Sequence, residues 1–177
     1  MNFFPKNATF MKYILGDSAV SASPIIRPAR TEDVDLILEM HHRLSDDSLY
    51  KRYHFTRIPS RQEIERIVEL NGKNGSVFVA AMPGPKPKII GFAFYVATDE
   101  NTAETAFLVE DRYQGQGIGR RLLTSLTQTA IAKDICFFDA RVLPNNMPMI
   151  HLLRESGRLV RNKLDYGAYE MRMDICN

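Results

Sequence analysis

The chain has 177 residues, 45% of them hydrophobic and 25% charged, with a formal net charge of +2. That is the length of one ordinary domain with enough apolar residues for a core, which excludes a disordered chain. The near-neutral balance excludes a dedicated nucleic-acid binder, which carries a basic stripe. No apolar run is long enough to span a membrane, so neither a membrane nor nucleic acid is expected as a partner.

Near the N-terminus, Phe10 to Leu15 followed by Ala19 to Ala22 has the outline of an export signal. Pro5, Lys12, Gly16 and Asp17 interrupt it. The reading is an N-terminal arm over residues 1–24 ahead of one cytoplasmic domain over 25–177. The two cysteines, Cys136 and Cys176, give neither a disulfide framework nor a metal set, and Cys136 reads as a buried residue of an apolar run. No metal is expected, and a reducing compartment is the default.

Ile25 to Ala29 reads as a first strand, closed by Pro28. Thr31 is expected to cap a helix carrying Val34, Ile37, Leu38 and His41 at helical spacing. Ser45 caps a second, short helix with Leu49, Tyr50 and Tyr53. Ser60 to Glu63 fits a capping box, and the helix it opens runs to Asn71-Gly72. The period then changes. Residues 76–81 and 89–96 form a hairpin across a proline-rich turn, and 103–109 is a third strand. A helix over 117–132 places Ile118, Leu122, Leu126 and Ala130 on one face. A buried strand over 135–143, a helix over 145–156 and a strand pair at about 158–163 and 167–174 complete the order. The sum is an α+β (mixed α/β) domain, with an antiparallel meander and one parallel strand–helix–strand crossover.

The informative stretch is Phe107-Leu108-Val109-Glu110-Asp111-Arg112-Tyr113-Gln114-Gly115-Gln116-Gly117-Ile118-Gly119-Arg120-Arg121. A strand runs into alternating glycines and then directly into an amphipathic helix. Glycine removes Cβ atoms and admits left-handed backbone. The first helical turn offers unpaired N–H groups and a positive dipole end. Together they suit phosphate oxygens, and Arg120 and Arg121 can add charge. No Lys-Ser or Lys-Thr follows, so this is not a Walker loop. Arg120 stands where a dinucleotide fingerprint needs its third glycine.

The loop resembles the Gln/Arg-x-x-Gly-x-Gly/Ala signature of the GNAT superfamily of N-acetyltransferases, matched at Gln114, Gly117 and Gly119. The resemblance covers residues 25 to 174. It implies a mostly antiparallel twisted sheet with helices on both faces, splayed at the acyl-CoA cleft by a bulge in the strand of Phe107. It implies acetyl-CoA as cosubstrate, with the backbone of Phe107, Leu108 and Val109 along the pantetheine arm. The N–H groups of Gln114, Gly115, Gln116, Gly117, Ile118, Gly119 and Arg120 would hold the pyrophosphate, and Asn146 would face the thioester arm.

Ala103-Glu104-Thr105-Ala106-Phe107 resembles the Ala-Glu-x-x-Phe segment of histone-type and bacterial protein lysine acetyltransferases. The resemblance makes Glu104 the general base, with burial expected to raise its pKa. The family's usual Tyr proton donor has no counterpart, because Leu153 occupies its position, and His151 lies on a different helical face. Arg43 to Phe55 resembles the Arg-Leu-Ser-x-x-Ser-x-Tyr-x-Arg-Phe stretch of bacterial protein acetyltransferases, where it lines the acceptor groove. The acceptor implied is a primary amine, foremost a protein lysine. The alternatives are a small-molecule amine and a non-catalytic acyl-CoA sensor. An acidic lining for polyamines could come from Asp46, Asp47, Asp99 and Glu100. The sequence is compatible with a homodimer and does not fix the oligomeric state.

Overall fold

The computed structural model describes residues 23–176. Most of the N-terminal arm therefore lies outside the described residues. Strands β1 (Ile25–Pro28), β2 (Gly75–Met82), β3 (Lys88–Ala97), β4 (Thr102–Val109), β5 (Phe137–Val142), β6 (Arg158–Asp165) and β7 (Ala168–Asp174) form one open sheet. Its order is β1-β2-β3-β4-β5-β7-β6. The β4–β5 pair is parallel and its neighbours are antiparallel. The helices are α1 (Val34–His41), α2 (Asp46–Tyr53), α3 (Arg61–Val68), α4 (Ile118–Ile131) and α5 (Met147–Glu155).

Strand alternation and helix periodicity divide the core between the two faces of the sheet. On one face Ile118, Leu122, Leu126 and Ala130 of α4 pack with Tyr95, Phe138 and Met171. On the other, Val34, Ile37 and Met40 of α1 and Ile64 and Val68 of α3 pack with Val77, Val79 and Phe92. Gly91 permits the close approach of α4, since a Cβ there would stand 3.1 Å from Leu122 and 3.2 Å from Ile118 and Ala80.

The caps at Ser45 and Ser60 form as the sequence predicts, the latter as a full capping box with Glu63. Thr31 does not cap α1. A 3-10 turn over Thr31–Asp33 precedes that helix, and the buried Asp33 accepts the Arg30 amide and both Arg27 guanidinium nitrogens instead. A carboxylate held by a guanidinium offers two acceptors, which a threonine hydroxyl cannot match.

The cysteine reading is corrected. Cys136 and Cys176 form a disulfide, with Cα atoms 5.1 Å apart. The antiparallel β5–β7 ladder starts at Phe137 opposite Asp174, and the Ile175 amide continues it onto the Cys136 carbonyl. The two residues just beyond the ladder's end therefore meet. A spacing of 40 residues carries no hint of this.

Candidate active site

Strands β4 and β5 pair only at Thr102–Phe137, Ala103–Phe138 and Glu104–Asp139. Beyond that point β4 stays in register with β3 from Ala103 to Val109, while β5 follows β7 to Val142. The wedge between them opens into a cleft of about 590 Å³. The splay expected from a bulge arises differently: the β3–β4 ladder is continuous, and β5 simply leaves β4 after three pairs.

Phe107 and Val109 flank the cleft and pack against the α4 core. Leu108 turns its side chain into the opposite core, so what it can offer the cleft is backbone. At the end of β4 a 3-10 turn over Asp111–Tyr113 leads into the glycine loop. Gly115 and Gly117 have φ of 73° and 78°, and an added Cβ at either would meet nothing within 4 Å. These glycines serve the left-handed turn and leave the space above it open. The amides of Gly115, Gln116, Gly117, Ile118, Gly119 and Arg120 have no acceptor among the described residues, and the first bond of α4 runs from Arg121 N to Gly117 O. The Gln114 amide is not among these open groups, since it donates to Asp111 O at 3.1 Å.

Of the two loop arginines, only Arg120 lines the cleft, ion-paired with Glu155. Arg121 reaches away, donating to Pro24 O at 2.8 Å. Asn146 is the N-cap of α5, accepting the Met149 amide through Oδ1, and it borders the cleft. Leu153 is wholly buried in the core, whereas His151 and Leu152 line the cleft. His151 lies on a different face of α5 from Leu153, as expected, and that face borders the cleft.

Helix α2 has two jobs divided along its length. At its start Ser45 donates to Asp111 through Oγ (2.6 Å) and its amide (3.0 Å), and Ser48 Oγ donates to the same carboxylate at 2.8 Å. The Gln114 side chain donates to Ser48 Oγ (3.2 Å) and Val109 O (3.0 Å). Arg43 reaches the buried Glu110, which also meets Lys88 and Arg112. The first half of the Arg43–Phe55 motif therefore holds the glycine loop, where an acceptor groove was expected. Burial pushes the Asp111 carboxyl up, but the Ser45 and Ser48 hydrogen bonds outweigh it and hold it below the usual range.

The second half does border the cleft. Arg52 lies over the Tyr53 ring at 4.8 Å and the Phe94 ring at 5.4 Å. Tyr53 stands where the stated pattern has Phe, and its hydroxyl meets His41 Nε2 at 2.7 Å. His41 Nδ1 lies 2.7 Å from Ile37 O, an acceptor only, so Nδ1 carries the proton and Tyr53 donates to Nε2. Burial pulls the His41 pKa down to about 4 and raises that of Tyr53.

Glu104 is exposed, so the expected burial is absent. By strand alternation it shares a face with Val96 and Phe94 of β3. A second groove, of about 370 Å³, shares Glu104, Ala140 and Arg141 with the cleft and continues to Glu170 and Arg161. Glu104 thus stands where two channels meet. Nothing pairs with it within ion-pair distance among the described residues. Its strand neighbour Asp139 is held by Arg172 at 2.7 and 2.6 Å.

Residues 39–157 match the acetyltransferase (GNAT) family. The chain belongs to that family. It is 33% identical over 153 residues to Acetyltransferase Pat of Mycolicibacterium smegmatis, a match covering 85% of this chain and 45% of that protein. The chain therefore spans less than half the length of this relative. Among solved structures, the GNAT domain of S. lividans PAT superposes with a TM-score of 0.75 at 23% identity, covering 90% of this chain and 99% of that one. A GNAT superfamily phosphinothricin acetyltransferase from Sinorhizobium meliloti, in complex with AcCoA, superposes with a TM-score of 0.67 at 21% identity, covering 86% and 88%. The sheet order, the β4–β5 wedge and helices on both faces are the GNAT fold.

Proposed function

We propose that this GNAT acetyltransferase moves the acetyl group of acetyl-CoA to the side-chain amine of a protein lysine. The observation that carries the reading is the junction at Glu104: a cleft leads from it to the open amides of the glycine loop, and a separate groove opens beside it. The cleft toward the glycine loop suits the cosubstrate, and the groove together with the Arg52 side of the junction suits the acceptor. The likeness of Ala103–Phe107 and Arg43–Phe55 to segments of protein acetyltransferases supports a protein acceptor, and the similarity to Acetyltransferase Pat over most of the chain supports acetyl transfer.

Acetyl-CoA supplies the thioester. Its pyrophosphate would rest on the amides of Gly115 to Arg120, its arm along Phe107 to Val109, with Asn146 beside it. The acceptor nitrogen must be neutral to attack. For a lysine of ordinary pKa, deprotonation at pH 7 costs about 4.6 kcal/mol. Glu104 takes that proton, directly or through one water. The N–C bond forms, the C–S bond breaks, and the sulfur leaves with the electron pair and is protonated from solvent. Exposure suits this role, because the proton must move on after each turnover.

A small-molecule amine is the second reading, favoured by the likeness to a phosphinothricin acetyltransferase. The polyamine version finds little support in the cleft: Asp47 pairs with Lys51, and neither Asp46, Asp47, Asp99 nor Glu100 lines either channel. The test is radiolabelled acetyl-CoA with a lysate of the source cell and purified protein. Label in discrete protein bands supports the lysine reading. Label confined to the small-molecule fraction replaces it with the second, and no acceptor-dependent label defeats both.

A further inference from the structure

Among the described residues, Lys51, Arg52, Arg120, Arg141 and Arg161 line the two channels. Lys51 pairs with Asp47, Arg120 with Glu155 and Arg161 with Glu170. Arg52 and Arg141 are the exceptions: neither has a hydrogen-bond or ion-pair partner among the described residues, and both line the cleft. Arg52 is half-buried, and a half-buried guanidinium without a paired anion is unfavourable, which anion binding relieves; Arg141 is exposed and adds a solvated charge beside it.

Their placement is specific. Arg52 lies over Phe94, and Phe94 is the strand partner of Ala106. Arg141 is two residues beyond Asp139, the partner of Glu104, and so stands level with Ala106 on the departing strand. Phe138, Ala140 and Val142 face the α4 core, so alternation turns Arg141 to the same side as Glu104. Arg141 thus stands about 7 Å, one pleat, beyond Glu104 along the strand direction, and Phe94, over which Arg52 lies, is level with it on the other side of β4. The rings of Tyr53 and Phe94 hold the Arg52 plane and leave its N–H edges for a planar acceptor. Burial draws the Arg52 guanidinium below its ordinary value, while Tyr53 and Glu104 favour its charge. Helix α2 places Arg52 one turn beyond Ser48, away from the loop that Ser48 holds, so the pair is not positioned for the pyrophosphate.

We propose that Arg52 and Arg141 form an anion-recognition site beside Glu104, selecting acceptors that carry a carboxylate or phosphate group close to the reacting amine. The proposal rests on the acetyl-transfer reading and narrows it: a lysine with an acidic neighbour is favoured, and a lysine among basic residues is rejected. The same chemistry could be presented by a free amino acid.

The experiment compares peptides with one lysine flanked by Glu, Gln or Lys, alongside a free amino acid and its amide. The enzymes are wild type, Arg52→Gln, Arg52→Lys and Arg141→Gln. Wild type should prefer the Glu-flanked peptide over the Gln-flanked one by about 10-fold in kcat/KM, in line with one charge-assisted contact. Either Gln variant should erase most of that preference with acetyl-CoA affinity unchanged, and Arg52→Lys should keep part of it. A preference seen only for the free amino acid over its amide upholds the site and assigns it to a small acceptor. No preference in wild type, a preference untouched by both Gln variants, or loss of acetyl-CoA affinity as their sole effect overturns the proposal. If no acceptor is acetylated, calorimetric binding of the same peptides to the CoA-saturated protein decides. Charge-selective binding lost in Arg141→Gln upholds the anion site while the transfer reading fails, and charge-blind binding defeats both.

Discussion

Ser48 of α2 and Gln114 of the glycine loop, 66 residues apart in sequence, are joined by a 3.2 Å hydrogen bond from the glutamine amide to the serine hydroxyl. The same serine donates to Asp111. The loop that would receive a pyrophosphate is therefore fixed from the side by a helix that continues along the cleft to Arg52. Asp111→Ala removes the acceptor for three donors from Ser45 and Ser48. The expected result is about 10-fold weaker acetyl-CoA binding, the scale of one or two lost hydrogen bonds. Titration calorimetry checks it, and Asp111→Asn should lose less.

His41 links stability to pH. Its folded-state pKa of about 4 lies below the ordinary 6.5, so the unfolded chain binds more protons between these values. The stabilisation is complete above pH 6.5 and is lost as pH falls toward 4, reaching about 3 kcal/mol. Urea unfolding across pH 4–7 measures the slope, and His41→Gln should flatten it whatever its absolute stability. Tyr53→Phe leaves the buried Nε2 without its donor, at an expected cost of about 1–3 kcal/mol.

The Cys136–Cys176 disulfide closes a loop spanning β5, α5, β6 and β7. Cross-linking a loop of separation 40 should stabilise the fold by up to about 4 kcal/mol through the unfolded chain. Cys176→Ser should lower the urea midpoint accordingly, and added reductant should then have no further effect.

Much of the fold was legible because the signals are local. Ser45 and Ser60 announce their helices, and the Gly115–Gly119 run between a strand and an amphipathic helix announces the loop. What was not legible depends on strands meeting. The disulfide arises because β5 and β7 end together. The splay was expected from the resemblance but its cause was not: β5 leaves β4 after Asp139 with no bulge in β4. Glu104 was expected to be buried from its apolar neighbours in sequence, but alternation turns it outward, away from Ala103 in the core. Ser45 and Ser48 stood out in the motif, yet their partner Asp111 lies more than 60 residues on. Arg141 has no motif at all, and only its place in the splayed strand, level with Ala106, identifies it.

Gly117→Ala tests the loop without touching a side chain. At φ 78° an alanine is strained by about 1–2 kcal/mol, and its methyl would occupy the open space above the turn. Acetyl-CoA binding should weaken by more than that strain alone predicts, as read by comparing calorimetric affinity with the change in unfolding free energy.

In the proposed reaction Glu104, at the meeting of the two channels, accepts the proton of the attacking amine. The most direct measurement is steady-state transfer from acetyl-CoA to a lysine peptide by Glu104→Gln across pH 6–10, with acetyl-CoA affinity measured in parallel. If Glu104 is the base, kcat falls about 100-fold or more near neutral pH, recovers in part as the peptide amine deprotonates at high pH, and acetyl-CoA affinity is unchanged. An unchanged kcat near pH 7 would contradict that role.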